Sequence, residues 1–196
     1  MSTEPPVPGF EDLLAANAAY AEDFSYGGFD GIAHAGVGVV TCMDSRIPPL
    51  EMLGLKPGDA KVLRSAGGRV TELTMTGLVL GVQLLGVRRI MVIPHTRCAM
   101  AAMTEDELRA KVEAAAGKPA GYLPLNVVPD QLEGLRRDVA AVREHPLIGE
   151  DVLVGGFGDD ELSGGNGADR LVGGPGNDHL DQGRGGGISQ EDGEES

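Results

Sequence analysis

Two short stretches concentrate the reactive side chains of this 196-residue chain: Cys42-Met43-Asp44-Ser45-Arg46 and His95-Thr96-Arg97-Cys98. The chain holds two cysteines, and each stretch has one of them. Two thiolates and one imidazole form a Cys₂His donor set. Zinc held by four protein ligands is closed and structural, whereas three ligands leave a position for water or substrate. No third cysteine exists to close this set. A redox pair is the weaker reading, because CxxC is absent and the cysteines lie 56 positions apart. Asp44 and Arg46 add an acid–base pair beside the first thiol.

These groups can meet only if the fold brings both stretches to one edge. Val37 to Cys42 (VGVVTC) is a β-branched run that ends at Asp44-Ser45, and Arg89 to Pro94 (RIMVIP) is a second apolar run that leads into His95. Continuous apolar runs of this length read as strands buried on both faces. Residues 61–64 (KVLR) supply another strand between turn signals, and a last one begins at 152–154. Helical periodicity covers 10–24, 71–85 with Gly86 as C-cap, 105–116 with Thr104 as N-cap, and 130–144 before Pro146. The pattern predicts an α/β fold in three layers, with a central, mostly parallel sheet of about four strands in the order 2-1-3-4 flanked by helices. In such sheets ligands collect at the carboxyl ends of neighbouring strands. Both reactive stretches fall there.

Composition excludes several functions. The net charge of −14 leaves no basic surface to displace counterions from a nucleic acid, and seven aromatic residues are too few for base stacking. No apolar run approaches the ~18 residues of a membrane helix. The acidic, Pro-rich start (MSTEPP) predicts no cleavable signal peptide. The remaining histidines, His34, His145 and His179, read as loop or helix-end residues.

A composition shift near residue 150 divides the chain into 1–154, 155–181 and 182–196. Residues 151–196 hold 11 of the 30 acids, 2 of the 16 bases and 14 of the 31 glycines. Within them GGFGDDELS, GGNGADRLV and GGPGNDHLD repeat every nine residues, with Gly at positions one, two and four, Asp at six and Leu at eight. They resemble the calcium-binding nonapeptides of RTX proteins, which makes Asp160, Asp169 and Asp178 candidate Ca²⁺ ligands. Two repeats would form one coil of a β-roll. A tail that binds no calcium is the alternative, and 182–196 reads as disordered.

Residues from about 10 to 157 resemble a beta-class carbonic anhydrase, through CMDSR at 42–46, GDAKVLRSAGG at 58–68, LGV at 85–87 and HTRC at 95–98. The resemblance implies Zn²⁺ on Cys42, His95 and Cys98, an Asp44–Arg46 catalytic dyad, and reversible hydration of CO₂ to bicarbonate. Asp44 can occupy the fourth zinc position in a closed state, or pair with Arg46 and leave it open. Ser65, Gly67 and Gly68 are carried over as substrate-binding residues, and a homodimer or higher homo-oligomer is implied. Ser65 and Ala99 stand where relatives usually have Asn and Gly, and Arg97 brings an unusual positive charge. Hydrolysis of carbonyl sulfide or carbon disulfide on the same fold is the nearest rival. A secreted calcium-binding module with an inert zinc domain is the rival from another class. A nicotinamide-dependent dehydrogenase is discarded for want of a strand-linked GxGxxG. Cysteines that must stay reduced place the protein in the cytoplasm, with export without a cleaved signal as the alternative.

Overall fold

The computed structural model describes residues 9–148 and the backbone of five three-residue strands at 153–155, 161–163, 170–172, 179–181 and 188–190. It divides into two units, Met1–Gly31 and Ile32–Ser196. The first holds α1 (Glu11–Glu22), within the span the periodicity predicts, with Glu11 and Asp12 at the positive end of its dipole. Its rings follow one another edge to face or tilted, Tyr20 to Phe24 at 5.6 Å, Phe24 to Tyr26 at 5.7 Å and Tyr26 to Phe29 at 5.2 Å between centroids.

The second unit runs β1 (Val37–Cys42), α2 (Pro49–Met52), β2 (Ala60–Ser65), α3 (Glu72–Leu84), β3 (Arg89–Ile93), α4 (Glu105–Ala116), α5 (Gln131–Arg143) and β4 (Leu153–Gly155). The sheet order is β2-β1-β3-β4, all parallel, as the alternation of strands and helices implies. Three strands have five or six residues, and β4 has three. Every residue of central β1 is buried, so its apolar run needs no polar alternation. Successive side chains still go to opposite faces. Val40 joins Leu78, Ile90, Val92, Leu135 and Val142 on one side, while Val37 and Val39 join Ile93 on the other. Each such fully buried side chain contributes about 1.5–3 kcal/mol.

Helix ends follow local chemistry. Thr71 and Thr104 each close a capping box, with Thr74 and Glu107, and Asp130 accepts from Glu133 N at 3.0 Å. Glu107 is held below its ordinary pKa by the N–H and hydroxyl of Thr104. Gly86 takes a left-handed φ of 75° one residue beyond the C-cap Leu85, and Gly117 ends α4 in the same way. The four residues of α2 carry too short a pattern to be predicted.

The repeats form strands β5 (Glu161–Ser163), β6 (Arg170–Val172), β7 (His179–Asp181) and β8 (Ile188–Gln190). Strands two repeats apart pair in parallel, β5 with β7 and β6 with β8, which is the spacing of a coil made from two nonapeptides. Two expectations are corrected. His179 opens β7 rather than a loop. The stretch 182–196, expected to be disordered, contributes β8. Residues 182–190 (QGRGGGISQ) are a fourth repeat whose phase is masked in sequence, because Gly187 replaces the Asp at position six and Ser189 the Leu at position eight. The phase also runs backward: Gly149, Asp151 and Leu153 fall at positions four, six and eight of a preceding nine. By pairing β4 belongs to the four-stranded sheet, by phase to the repeats, and it lies near β6. Asp160, Asp169 and Asp178 lie outside the described residues.

Candidate metal centre

Adjacent strands β1 and β3 run parallel in register, Thr41 beside Ile93, so their carboxyl ends finish level. The fully buried Thr41 hydroxyl donates to the Ile93 carbonyl at 3.0 Å and ties the two tips together. Immediately beyond, Cys42 and Cys98 are buried and His95 is half-buried. One ligand atom from each of the three lies within 4.8 Å of the others.

The sulfurs stand 4.0 Å apart, about twice the ~2.05 Å length of a disulfide, and both cysteines are free. The His95 Nδ1 lies 3.1 Å from the Thr96 carbonyl. A carbonyl only accepts, so the proton sits on Nδ1 and Nε2 keeps its lone pair. That Nε2 is buried without a hydrogen-bond partner among the described residues. Tetrahedral zinc, with Zn–S of about 2.3 Å and Zn–N of about 2.0–2.1 Å, sets its ligand atoms roughly 3.4–3.8 Å apart. The donor set fits such an ion. Burial pushes the Cys98 thiol up, with the nearby Cys42 adding to the shift. Loading a cation there therefore has to displace the proton of Cys98.

Asp44 sits on the rim. Its Oδ1 accepts from the backbone N–H and Nε of Arg46, each at 2.9 Å, and its Oδ2 accepts from Nη2 at 2.6 Å. These bonds hold the carboxyl well below the usual carboxylate range. Oδ2 lies 3.9 Å from His95 Nε2, so the pair is beside the donors yet turned toward arginine.

Ser65, Gly67 and Gly68 lie where β2 leaves the sheet, beside the ligand-bearing strands. The Ser65 hydroxyl donates to the Arg69 carbonyl at 2.7 Å, and its own carbonyl accepts from Met43 N at 2.9 Å. Gly68 has φ 69°, and a Cβ on it would stand 3.0 Å from the Ile93 carbonyl and 3.1 Å from Cys42 N. It lets the 66–71 turn lie against both ligand-bearing strands. Gly67 and Gly68 line a cavity with Met100, Gln131 and Asp138, and none of the three donors lines it. Arg97 is exposed and takes a left-handed φ of 57°, and it borders an open trough with Cys98 and Asp130.

Several supporting residues escape sequence reasoning. Arg69 makes a bidentate ion pair with buried Asp138, at 2.5 and 2.7 Å, and Val70 N donates to the same carboxylate at 3.1 Å. One signal was available: Asp138 falls on the stripe Leu135-Asp138-Val142 of α5, where a carboxylate must find a partner. Gln131 Nε2 donates to the His95 carbonyl at 3.0 Å. Arg64 donates to the carbonyls of Cys42, Asp44 and Ile47.

A profile of the carbonic anhydrase family matches residues 37–119, and one of the RTX calcium-binding nonapeptide repeat matches residues 147–180. The beta-carbonic anhydrase 1 of Mycobacterium tuberculosis is 31% identical over 147 residues, covering 75% of this chain and 89% of that protein. A carbon disulfide hydrolase of Acidithiobacillus thiooxidans is 29% identical over 175 residues, covering 75% of this chain and 79% of its own length. The solved carbonic anhydrase from Streptococcus mutans superposes with a TM-score of 0.67 at 33% identity, covering 76% of this chain and 93% of that one.

Proposed function

The chain belongs to the beta-carbonic anhydrase family, and from that premise we propose that it is a zinc enzyme hydrating carbon dioxide to bicarbonate and a proton at Cys42, His95 and Cys98. The donor set carries this reading: two sulfurs 4.0 Å apart and a buried Nε2 lone pair without a described partner. Three donors leave a tetrahedral ion one corner for a reactant. Zinc held there supplies a Lewis acid that makes a coordinated water acidic near neutral pH.

The protein's own groups do the orienting. Asp44, kept ionised by Arg46, can accept a hydrogen bond but not donate one. Asp44 Oδ2, 3.9 Å from His95 Nε2, would accept a hydrogen bond from a reactant held beside the three donors and so orient it. The three bonds from Arg46 also keep Asp44 from taking the corner itself. The closed arrangement requires breaking them.

Stopped-flow hydration by the zinc-loaded full chain tests the reading. Cys42→Ser is expected to lose stoichiometric zinc and to fall to the uncatalysed rate, and a variant as active as the parent overturns the assignment. Carbon disulfide and carbonyl sulfide belong in the same experiment, because a carbon disulfide hydrolase also matches over 75% of the chain. Turnover of these without CO₂ hydration transfers the substrate to them and leaves the metal centre standing.

The same reading assigns calcium to the repeats through Asp160, Asp169 and Asp178, supported by the matched profile and by strands pairing two repeats apart. Millimolar calcium should raise the β signal in circular dichroism, and an unchanged spectrum would remove the cation from the tail. Assembly into a homodimer or higher homo-oligomer is supported by exposed apolar residues such as Phe10, Leu13, Leu14, Leu73 and Leu84, and sedimentation tests it. The free thiols support a cytoplasmic site of action.

A further inference from the structure

We propose that Arg64 is a positioning residue of the metal centre, one that fixes the backbone of the Cys42–Ile47 segment and thereby decides where the Asp44 carboxylate can go. The inference rests on the zinc reading above and concerns a residue outside the donor set and the dyad.

The observation is a single guanidinium serving three carbonyls. From β2, Arg64 Nη1 donates to the Cys42 carbonyl at 2.8 Å and to the Asp44 carbonyl at 3.1 Å, and Nη2 donates to the Ile47 carbonyl. These three carbonyls belong to the stretch in which the chain leaves the sheet. The ladder between β1 and β2 ends at Cys42 beside Ser65. Beyond it the described backbone bonds are Met43 N to the Ser65 carbonyl at 2.9 Å and Ile47 N to the Asp44 carbonyl at 3.2 Å. The segment therefore has few bonds of its own, yet it carries the first sulfur donor and the acceptor on the rim. Arg64 supplies the missing restraint from the neighbouring strand. A planar fork of five N–H donors suits several carbonyls converging on one point, which a single ammonium cannot span.

Two arginines thus hold Asp44 at opposite ends. Arg46 takes the carboxylate and Arg64 takes the peptide carbonyl. With Oδ2 only 3.9 Å from His95 Nε2, a modest rotation of the 43–47 backbone would bring the carboxylate from Arg46 toward the three donors. The Arg64 clamp opposes that rotation.

The test uses the full chain as Arg64→Gln and Arg64→Lys, loaded with zinc for kinetics and with cobalt(II) for visible absorption. Arg64→Gln should keep parent zinc stoichiometry while kcat per bound metal falls about tenfold to a hundredfold, the range seen when outer-shell partners of a metal ligand are removed. Its cobalt spectrum should change as a carboxylate enters the coordination sphere. Adding Asp44→Asn to Arg64→Gln should restore the parent spectrum, because the carboxylate is what moves. Arg64→Lys should recover only part of kcat. A merely structural arginine would lower the thermal midpoint and leave both kcat per metal and the cobalt spectrum at parent values, and that result overturns the proposal. Loss of the folded state in both single variants overturns it as well. A parent chain that takes up neither zinc nor cobalt stoichiometrically instead sinks the metal reading on which the proposal stands.

Discussion

Parallel strands are brought together in two ways in this chain, and the contrast explains why chemistry resides at one end of the sequence. In the catalytic sheet, β1 pairs with β2 and with β3 across long connections that contain helices, Val37 standing opposite both Ala60 and Arg89. In the repeats, Glu161 pairs with His179 and Arg170 with Ile188, each only eighteen positions on. The helical crossovers cover both faces of β1 with apolar side chains and leave the strand tips free to display Cys42 and His95. Three-residue strands offer about one large apolar side chain per repeat, Leu162, Leu171 or Leu180, and that is too little to offset the conformational entropy of ordering nine residues. The four-stranded sheet is held by its core, and on the proposed reading the repeats draw their order from calcium. Residues that lock the first region should therefore be costly to change, and equivalent changes in the second cheap.

The largest stability effect is expected at the buried ion pair. Asp138→Ala strands the Arg69 guanidinium, whose side chain is 18% exposed, and leaves Val70 N without its acceptor. Removing one partner of a buried pair costs about 3–5 kcal/mol, and the partial exposure of Arg69 places this loss near 3. Urea unfolding should show it as a lower midpoint at constant slope. A loss below about 1 kcal/mol would mean that the pair is solvated like a surface contact.

Gly68→Ala comes next. An alanine at φ 69° is strained, and its Cβ would press on the Ile93 carbonyl and Cys42 N, which are backbone atoms that cannot swing away. Strain and overpacking together should remove about 2–3 kcal/mol. Gly165→Ala, in the second repeat, is the matched change in the other region, and it should leave the sheet unit's unfolding within about 0.5 kcal/mol of the parent. Equal losses at the two glycines would abolish the contrast.

A third comparison is one of pH. Arg46 holds Asp44 well below the ordinary carboxylate range, so the stability of the pair is complete above the unfolded value near 4 and is lost as pH falls through the still lower folded value. Parent activity should then show no Asp44 limb above about pH 4. Arg46→Gln removes the principal cause of the depression. With the carboxyl back near its ordinary value of about 4, the ratio of variant to parent hydration rate should therefore decline by about twofold between pH 7 and pH 4. A flat ratio would mean that the carboxylate is held by something other than Arg46.

These locks differ in how far they can be read from sequence. The donor set was legible because two apolar runs end at Cys42 and just before His95, and adjacent parallel strands of similar length bring such ends together. The strand order was legible for the same reason. Arg69 and Asp138, 69 positions apart, share no spacing, and only the acid on the apolar stripe of α5 hints at a buried partner. Arg64 reads as an ordinary polar strand residue until the carbonyls it serves are located in space. Ser65 shows a partner that spacing does not disclose: its hydroxyl donates to the Arg69 carbonyl, four residues on. In the repeats β8 was hidden because its nine residues lack the Asp and Leu that define the phase.

The smallest effect is the most informative about the two regions. The repeats are rich in glycine, but the metal centre places Arg97, not glycine, at a left-handed φ of 57° between two donors. A side chain with a Cβ costs about 1–2 kcal/mol there, and glycine in its place gives back about 0.5–1 kcal/mol through the greater freedom of the unfolded chain. Arg97→Gly should thus stabilise the metal-free protein by no more than about 1 kcal/mol. Zinc affinity should move the other way, because glycine loosens the three-residue reach from His95 to Cys98 that spaces an imidazole and a sulfur around one ion. Chelator competition and urea unfolding on the same variant read the two signs separately. If stability and affinity rise together, the arginine is simply strained. If stability rises while affinity falls, the strain is what keeps the donors ready for the metal, and the centre has been built on a different principle from the glycine turns at the other end of the chain.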